Sequence, residues 1–197
     1  MIYVLRHGQT RLNSKKALQG RSDFPLNESG RAQARQLGER LARRGITFAR
    51  VFSSPLLRAV QTAKLVAPEA ALVTDERLIE MDYGPYEGVD LSSPPQEVIE
   101  FFSDFVHNPA PAGMEQLSSV VERTGAFVES IKGLPGNTLI STHAIAMKGI
   151  LEYLTPDSDG AYWSTYVGNC AVYAIDQSEG TLGVPFLVDS GQGSAGM

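Results

Sequence analysis

The sequence predicts an α/β protein, with a mostly parallel central sheet covered by helices on both faces. Two observations lead there. Short apolar runs rich in β-formers alternate with longer amphipathic segments, and Gly, Pro and Asn separate them at the joints. At 197 residues with 43% hydrophobic content, the chain also has enough apolar material for one compact domain, read as spanning residues 1–197.

Each element has its own signal. IYVLR (2–6) is short and apolar, as a buried strand should be. PLNESGRAQARQLGERLARRG (25–45) reads as a helix with Asn27 as its cap. Ala34, Leu37 and Leu41 lie on one face of it, and Gly45 stands at its exit. RVFSS (50–54) is a second strand, and PLLRAVQTAKLVA (55–67) a helix opened by a Ser54 cap with Pro55 in the first turn. ALVTD (71–75) gives a third strand.

Prolines 94, 95, 109 and 111 bracket one apolar-acidic helix, EVIEFFSDFVH (97–107), in what reads as an insertion over about 89–113. Residues 114–133 carry Leu117, Val121, Val128 and Ile131 along one helical stripe. The strand NTLISTH, the helix AIAMKGILEYL, and two strand candidates, NCAVYAID and VPFLVDS, follow. The tail over 191–197 is expected to be loose.

Composition narrows the function. A net charge of -5 and a pI near 5.2 speak against a nucleic-acid surface, which needs a cationic excess. The single cysteine, Cys170, rules out an internal disulfide, leaves no Cys/His cluster for zinc, and reads as a packing residue. No signal-like segment precedes the first strand and no apolar run approaches the roughly 20 residues that span a bilayer, so a soluble cytoplasmic protein without a membrane partner is expected.

The chemistry gathers at strand ends, where open α/β sheets bind ligands. Arg6 and His7 follow the first strand, Arg58 sits in the opening turn of the helix after the second, and His143 follows NTLIST. An isolated histidine closing a strand is usually a polar residue satisfied by nearby backbone. Two imidazoles, two guanidiniums and two helix N-termini on one rim instead form a phosphate pocket, with no metal required. In such a pocket His7 can be the nucleophile. Glu80 is the candidate proton donor, since a neighbouring dianion favours the protonated acid.

These residues resemble the histidine phosphatase superfamily, also called the phosphoglycerate mutase-like family. The matching stretches, in the family's order, are LRHGQTRLN (5–13), LQGRSDFPLNESGRAQA (18–34), VFSSPLLRAVQTA (51–63), LIEMDYGPYEG (78–88) and LISTHA (139–144). The resemblance implies a three-layer αβα sandwich with a helical insertion over the active site. It implies that His7 is the nucleophile, that Arg6, Arg58 and His143 hold the phosphate, and that Glu80 is the proton donor. Asn13 matches an amide that contacts a phosphate oxygen, and Gln19 and Gly20 match a loop at the pocket's edge.

The activity so implied is that of a phosphatase needing no metal or other cofactor. It would hydrolyse small phosphate monoesters through a phosphohistidine intermediate, as a monomer or homodimer. A phosphoglycerate mutase, or an idle relative that binds phosphorylated ligands, is the alternative. In the family's mutases a basic pair generally follows the glutamate and further cations lie in the inserted segment. Here Met81 and Asp82 follow Glu80, and no Lys or Arg occurs between Arg77 and Arg123. A leaving group that is neutral, cationic or partly apolar is therefore expected. Arg11, Lys15, Lys16 and Arg21 are the cations left to argue otherwise. Tyr83, Tyr86 and Glu87 are candidates to touch substrate or to shape a turn, and His107 reads as a solvated or helix-capping residue.

Overall fold

The computed structural model describes residues 1–178 and 180–191. β1 (Ile2–Arg6), β2 (Arg50–Ser53), β3 (Ala71–Thr74) and β4 (Thr138–Thr142) pair in parallel. β5 (Val172–Ile175) runs antiparallel to β1, and β8 (Phe186–Asp189) antiparallel to β5, giving a six-stranded sheet in the order β3-β2-β4-β1-β5-β8. A small hairpin of β6 (Gln177–Ser178) and β7 (Thr181–Leu182) stands apart, and no pattern in the sequence signalled it.

Side chains along the central strands alternate between two cores, as a period of two requires. Ile2 and Val4 of β1, Ile140 of β4, and Tyr173 and Ile175 of β5 join Phe127, Val128 and Ile131 of α5 (Leu117–Ile131) and Met147 and Ile150 of α6 (Ala144–Leu154). Tyr3, Leu5, Leu139, Val172 and Ala174 point the other way. They meet Ala34, Leu37 and Leu41 of α2 (Glu28–Arg43) and Ala63 and Val66 of α3 (Leu57–Val66). Burial on both faces explains why these strands read as continuous apolar runs.

A third apolar cluster lies over the strand ends. It gathers Leu18, Met81, Tyr83, Val98, Phe101, Met114, Val120, Ile145 and Trp163, with Phe102, Phe105, Leu117 and Val121 packed against it. α4 (Gln96–Ser103) and the turn after it supply the phenylalanines, whose rings meet edge to face at 4.9–5.4 Å between centroids. Of the helical stripe expected over 114–133, Val128 and Ile131 enter the sheet core while Leu117 and Val121 face this cover.

Several element ends differ from the sequence reading. The helix expected over 97–107 stops at Ser103, because Asp104 Oδ1 accepts from the backbone N–H of Val106 and His107 and turns the chain. The helix expected from Pro55 starts at Leu57. Its first free N–H, that of Leu57, is capped by Asp23 Oδ1 at 2.7 Å, while Ser54 Oγ accepts from Leu56 N–H at 3.3 Å and from His143 Nε2 instead. Cys170, expected within a strand, sits just before β5 with φ 61. The helix expected from residue 114 begins at Leu117. The short helices α1 (Arg11–Ser14) and α7 (Ala161–Ser164) were not legible. Of the tail expected to be loose, all but Gly191 lies outside the described residues.

The loop after β1 crosses the start of α2 at very close range. A Cβ on Gly30 would lie 2.1 Å from the Gln9 carbonyl oxygen, and one on Gly8 would lie 2.6 Å from that of Gly30. Asn27 locks the crossing: its Oδ1 caps Gly30 N–H at 2.7 Å and its Nδ2 donates to Gln9 Oε1 at 2.8 Å. Gly30→Ala should therefore destabilise the fold by about 1–3 kcal/mol and displace the His7 loop. The melting midpoint should fall; an unchanged midpoint would show that the crossing has slack.

Candidate active site

The parallel register sets the site. β1 and β4 end side by side, Arg6 opposite Thr142, so His7 and His143 emerge next to each other with ring centroids 5.1 Å apart. β2 ends beside β4, with Ser53 opposite Ser141, and the chain turns into α3 to bring up Arg58. The four groups that the sequence placed on one rim do meet.

Arg58 lies between the two imidazoles and is fully buried. Its Nε approaches His7 Nε2 at 3.3 Å and His143 Nδ1 at 3.1 Å, while Nη1 donates to Ser22 O at 2.7 Å and Nη2 to Gly20 O at 2.5 Å. Glu87 fixes the loop that presents these carbonyls, accepting from Arg21 N–H at 2.5 Å and from the Ser22 hydroxyl. Arg58 forms no ion pair among the described residues. Burial lowers its pKa to about 10, which leaves it charged at neutral pH.

Arg6 is held by the Val167 carbonyl, which accepts from Nη1, and its Nε is buried with no partner. Burial lowers its pKa, an effect that Glu80 opposes. Neither guanidinium has a carboxylate within ion-pair distance among the described residues, and Glu80 acts on both only from farther away, an arrangement that favours an anionic ligand.

The hydrogen bonds fix the tautomers. A carbonyl only accepts, so His7 Nδ1 carries the proton that it donates to Gly8 O at 2.6 Å, and Nε2 keeps its lone pair. For His143 the order reverses: Nδ1 accepts from Arg58, and Nε2 donates to Ser54 Oγ at 2.7 Å. Burial first, and the arginine charges second, hold both imidazoles well below the ordinary histidine pKa, in the neutral form.

Glu80 lies at the N-terminus of α6. Its Oε1 accepts from Met81 N–H at 3.0 Å and Ala146 N–H at 2.9 Å, and Oε2 from Ile145 N–H at 3.2 Å. Arg6, His7, Asn13, Gln19 and Glu80 line a cleft of about 340 Å³. Arg58 and His143 are buried beside His7, outside that lining. A larger depression of about 750 Å³, lined by Val121, Glu129, Lys132 and Tyr153, contains none of these groups.

Asn13 belongs to a capping box: its Oδ1 accepts from Thr10 N–H at 3.1 Å, and its own N–H donates to Thr10 Oγ1 at 3.2 Å. Gln19 Oε1 accepts from the Thr10 hydroxyl at 2.6 Å. Gly20 does not line the cleft; it enters the site through the carbonyl that holds Arg58. There a side chain would collide with Met81 O at 2.5 Å.

Of the other candidates, Tyr83 lines the cleft, whereas Tyr86 and Glu87 do not. Arg11, Lys15, Lys16 and Arg21 stay off its walls as well, and Arg21 pairs with Asp82 at 3.3 Å. His107 is exposed beside Asp104 and away from the cleft. Burial pushes the Cys170 thiol up to about 12, which leaves it unreactive.

The sequence reading missed Lys148, Tyr166 and Val167, which also line the cleft, and Asn169, whose Nδ2 donates to His7 O at 3.1 Å. Lys148 adds to the cleft a cation that the cation-free stretch between Arg77 and Arg123 did not disclose: it arrives from α6. A lone lysine in the apolar run AIAMKGILEYL was the available signal.

The family model described as histidine phosphatase superfamily (branch 1) matches residues 2–189. A probable phosphoglycerate mutase GpmB of Yersinia pestis is 32% identical over 185 residues, covering 90% of this chain and 85% of the relative. Among solved structures, Bacillus stearothermophilus YhfR is similar at TM-score 0.80 and 30% identity, over 93% of this chain and 94% of that one. A phosphoglycerate mutase from Thermus thermophilus is similar at TM-score 0.72 and 29% identity, over 95% of this chain and 99% of that one.

The two neutral imidazoles make stability depend on pH. Unfolded histidines take up protons near pH 6.5 while the folded ones resist, so the unfolded state binds more protons and acid favours it. Each contributes up to about 1.4 kcal/mol per pH unit below pH 6.5, until its folded pKa is reached. Melts without added anion should show the midpoint dropping between pH 7 and 5, and inorganic phosphate should raise the midpoint at pH 7. A flat profile would contradict the burial of neutral imidazole.

Proposed function

The chain belongs to the histidine phosphatase superfamily, and from that premise we propose that it hydrolyses small phosphate monoesters through a phosphohistidine intermediate, with no metal. One observation carries the reading. His7 keeps an unprotonated Nε2 beside two guanidiniums that have no carboxylate within ion-pair distance among the described residues.

In this reading a phosphoryl dianion binds against Arg6 and Arg58, with His143 beside it. A charge pair at 4 Å contributes about 4 kcal/mol at an effective dielectric of 20, so two arginines offset much of the dianion's desolvation. His7 Nε2 attacks phosphorus and the ester P–O bond breaks. Glu80 gives its proton to the departing oxygen; Oε2, with a single backbone donor, is the freer oxygen to carry it. Water then attacks the phosphohistidine, Glu80 takes a proton from it, and the P–N bond breaks to release phosphate and neutral His7. Throughout, Gly8 O holds the Nδ1 proton in place.

The names of the mutase relatives favour a second reading, return of the phosphoryl group to another hydroxyl of the same molecule. Against it, Met81 is fully buried and Asp82 is paired with Arg21, so no basic pair follows Glu80 into the cleft. Arg6 and Lys148 are the cations in its lining. Incubation with 3-phosphoglycerate separates the two: inorganic phosphate should accumulate, whereas 2-phosphoglycerate without phosphate release would establish the mutase.

His7→Ala should lower turnover of 4-nitrophenyl phosphate by roughly a thousandfold or more and abolish acid-labile phosphoryl labelling, with the fold retained by circular dichroism. Retained labelling would remove His7 as nucleophile. Glu80→Gln should cost about 10²–10⁴-fold with alkyl phosphates and much less with 4-nitrophenyl phosphate, whose leaving group needs no proton. Equal loss with both substrates would assign Glu80 a different task.

A further inference from the structure

Lys148 is a cation that the chemistry above does not use. It lies in the middle of α6, only 9% exposed. Its Nζ donates to the Trp163 carbonyl at 2.6 Å and stands 5.5 Å from the centre of the Phe105 ring. That carbonyl accounts for one of three N–H donors, and no carboxylate lies within ion-pair distance among the described residues. Burial pushes the ammonium down to about 8; Arg6 adds to this, and Glu80 and Glu152 oppose it.

An uncompensated ammonium among Phe105, Trp163 and Phe102 is expensive, and a methionine of similar length would fill that wall without desolvating a charge. The lysine's position suggests why the charge is there. It lines the catalytic cleft and also an adjoining cleft of about 510 Å³, and Phe102, Phe105 and Tyr166 line both. The walls between the His7 end and Lys148 are largely apolar, with Tyr83, Leu91 and Phe105 among them.

We propose that Lys148 is a specificity-determining residue that pairs with an acidic group on the leaving portion of the substrate. The preferred substrates are then phosphate monoesters whose alcohol or phenol bears a carboxylate on a short apolar spacer. This rests on the phosphatase reading above and adds the class of ester to it. The bound carboxylate supplies the counter-ion that the protein withholds, and the aromatic walls take the spacer.

The test uses esters matched except for charge: phosphoglycolate with its amide, and 4-(carboxymethyl)phenyl phosphate with its amide. In the wild-type protein the carboxylate of at least one pair should be preferred by about tenfold in kcat/KM, as a charge-assisted hydrogen bond allows. Lys148→Met should bring that ratio close to one, and Lys148→Arg should keep most of it. Absence of preference in both pairs, or a ratio that survives Lys148→Met, overturns the proposal while the phosphatase reading stands. A lysine that only ties down the Trp163 loop, or touches only the phosphoryl group, would slow acid and amide alike and leave the ratio intact. Failure of the wild-type protein to hydrolyse any ester, 4-nitrophenyl phosphate included, overturns the phosphatase reading and this inference with it.

Discussion

The site is organised around Arg58, a fully buried guanidinium whose protein partners are two carbonyls and two imidazoles. Such a group is costly to bury without an anion nearby, and every neighbour reflects that. The 20–22 loop turns its carbonyls inward, and Glu87 holds the loop in that position. The imidazoles stay neutral because the arginine charge adds to the effect of burial. One buried cation therefore helps to keep His7 unprotonated and leaves positive charge beside it.

Sheet geometry makes this possible with little local strain. Three neighbouring parallel strands end at one level, so residues far apart in sequence leave the sheet a few ångströms apart. The loop after β1 must then cross α2 almost backbone to backbone, which is why Gly8 and Gly30 face each other. The loop before β5 closes the arrangement from the other side: Cys170 N–H donates to Arg6 O at 3.1 Å, and the Asn169 side chain donates to His7 O. The backbone that carries His7 is thus held from three directions.

Much of this was legible in the sequence, for identifiable reasons. Strands buried on both faces announce themselves as apolar runs, and polar residues at their ends stand out against that background. Asn27 was readable as a cap because its partner is three residues away. Ser54 was misread as one, since its hydroxyl oxygen accepts from Leu56 N–H, ahead of the helix, and from His143 Nε2, 89 positions later. The cap on α3 comes from Asp23, which no local pattern connects to Leu57. Lys148 escaped notice because counting cations within one segment of sequence says nothing about what a helix from elsewhere brings to the same cleft.

The two halves of the cleft are built on different principles. The His7 end is anchored in the sheet, and among the described residues Arg6 Nε is the one buried side-chain polar atom without a partner. The Lys148 end belongs to the third cluster, where Phe101, Phe102 and Phe105 pack on one another and Phe105 on Trp163. The two halves meet where Gly20, whose carbonyl holds Arg58, packs against Met81 and Tyr83, and where Ile145 N–H at the start of α6 donates to Glu80. The same helix joins them a second way: its N-terminus holds Glu80, and its middle carries Lys148. In the proposed reaction, proton delivery to the departing oxygen and recognition of what departs are therefore set by one rigid element, so that a substrate seated against Lys148 would also be placed with respect to Glu80.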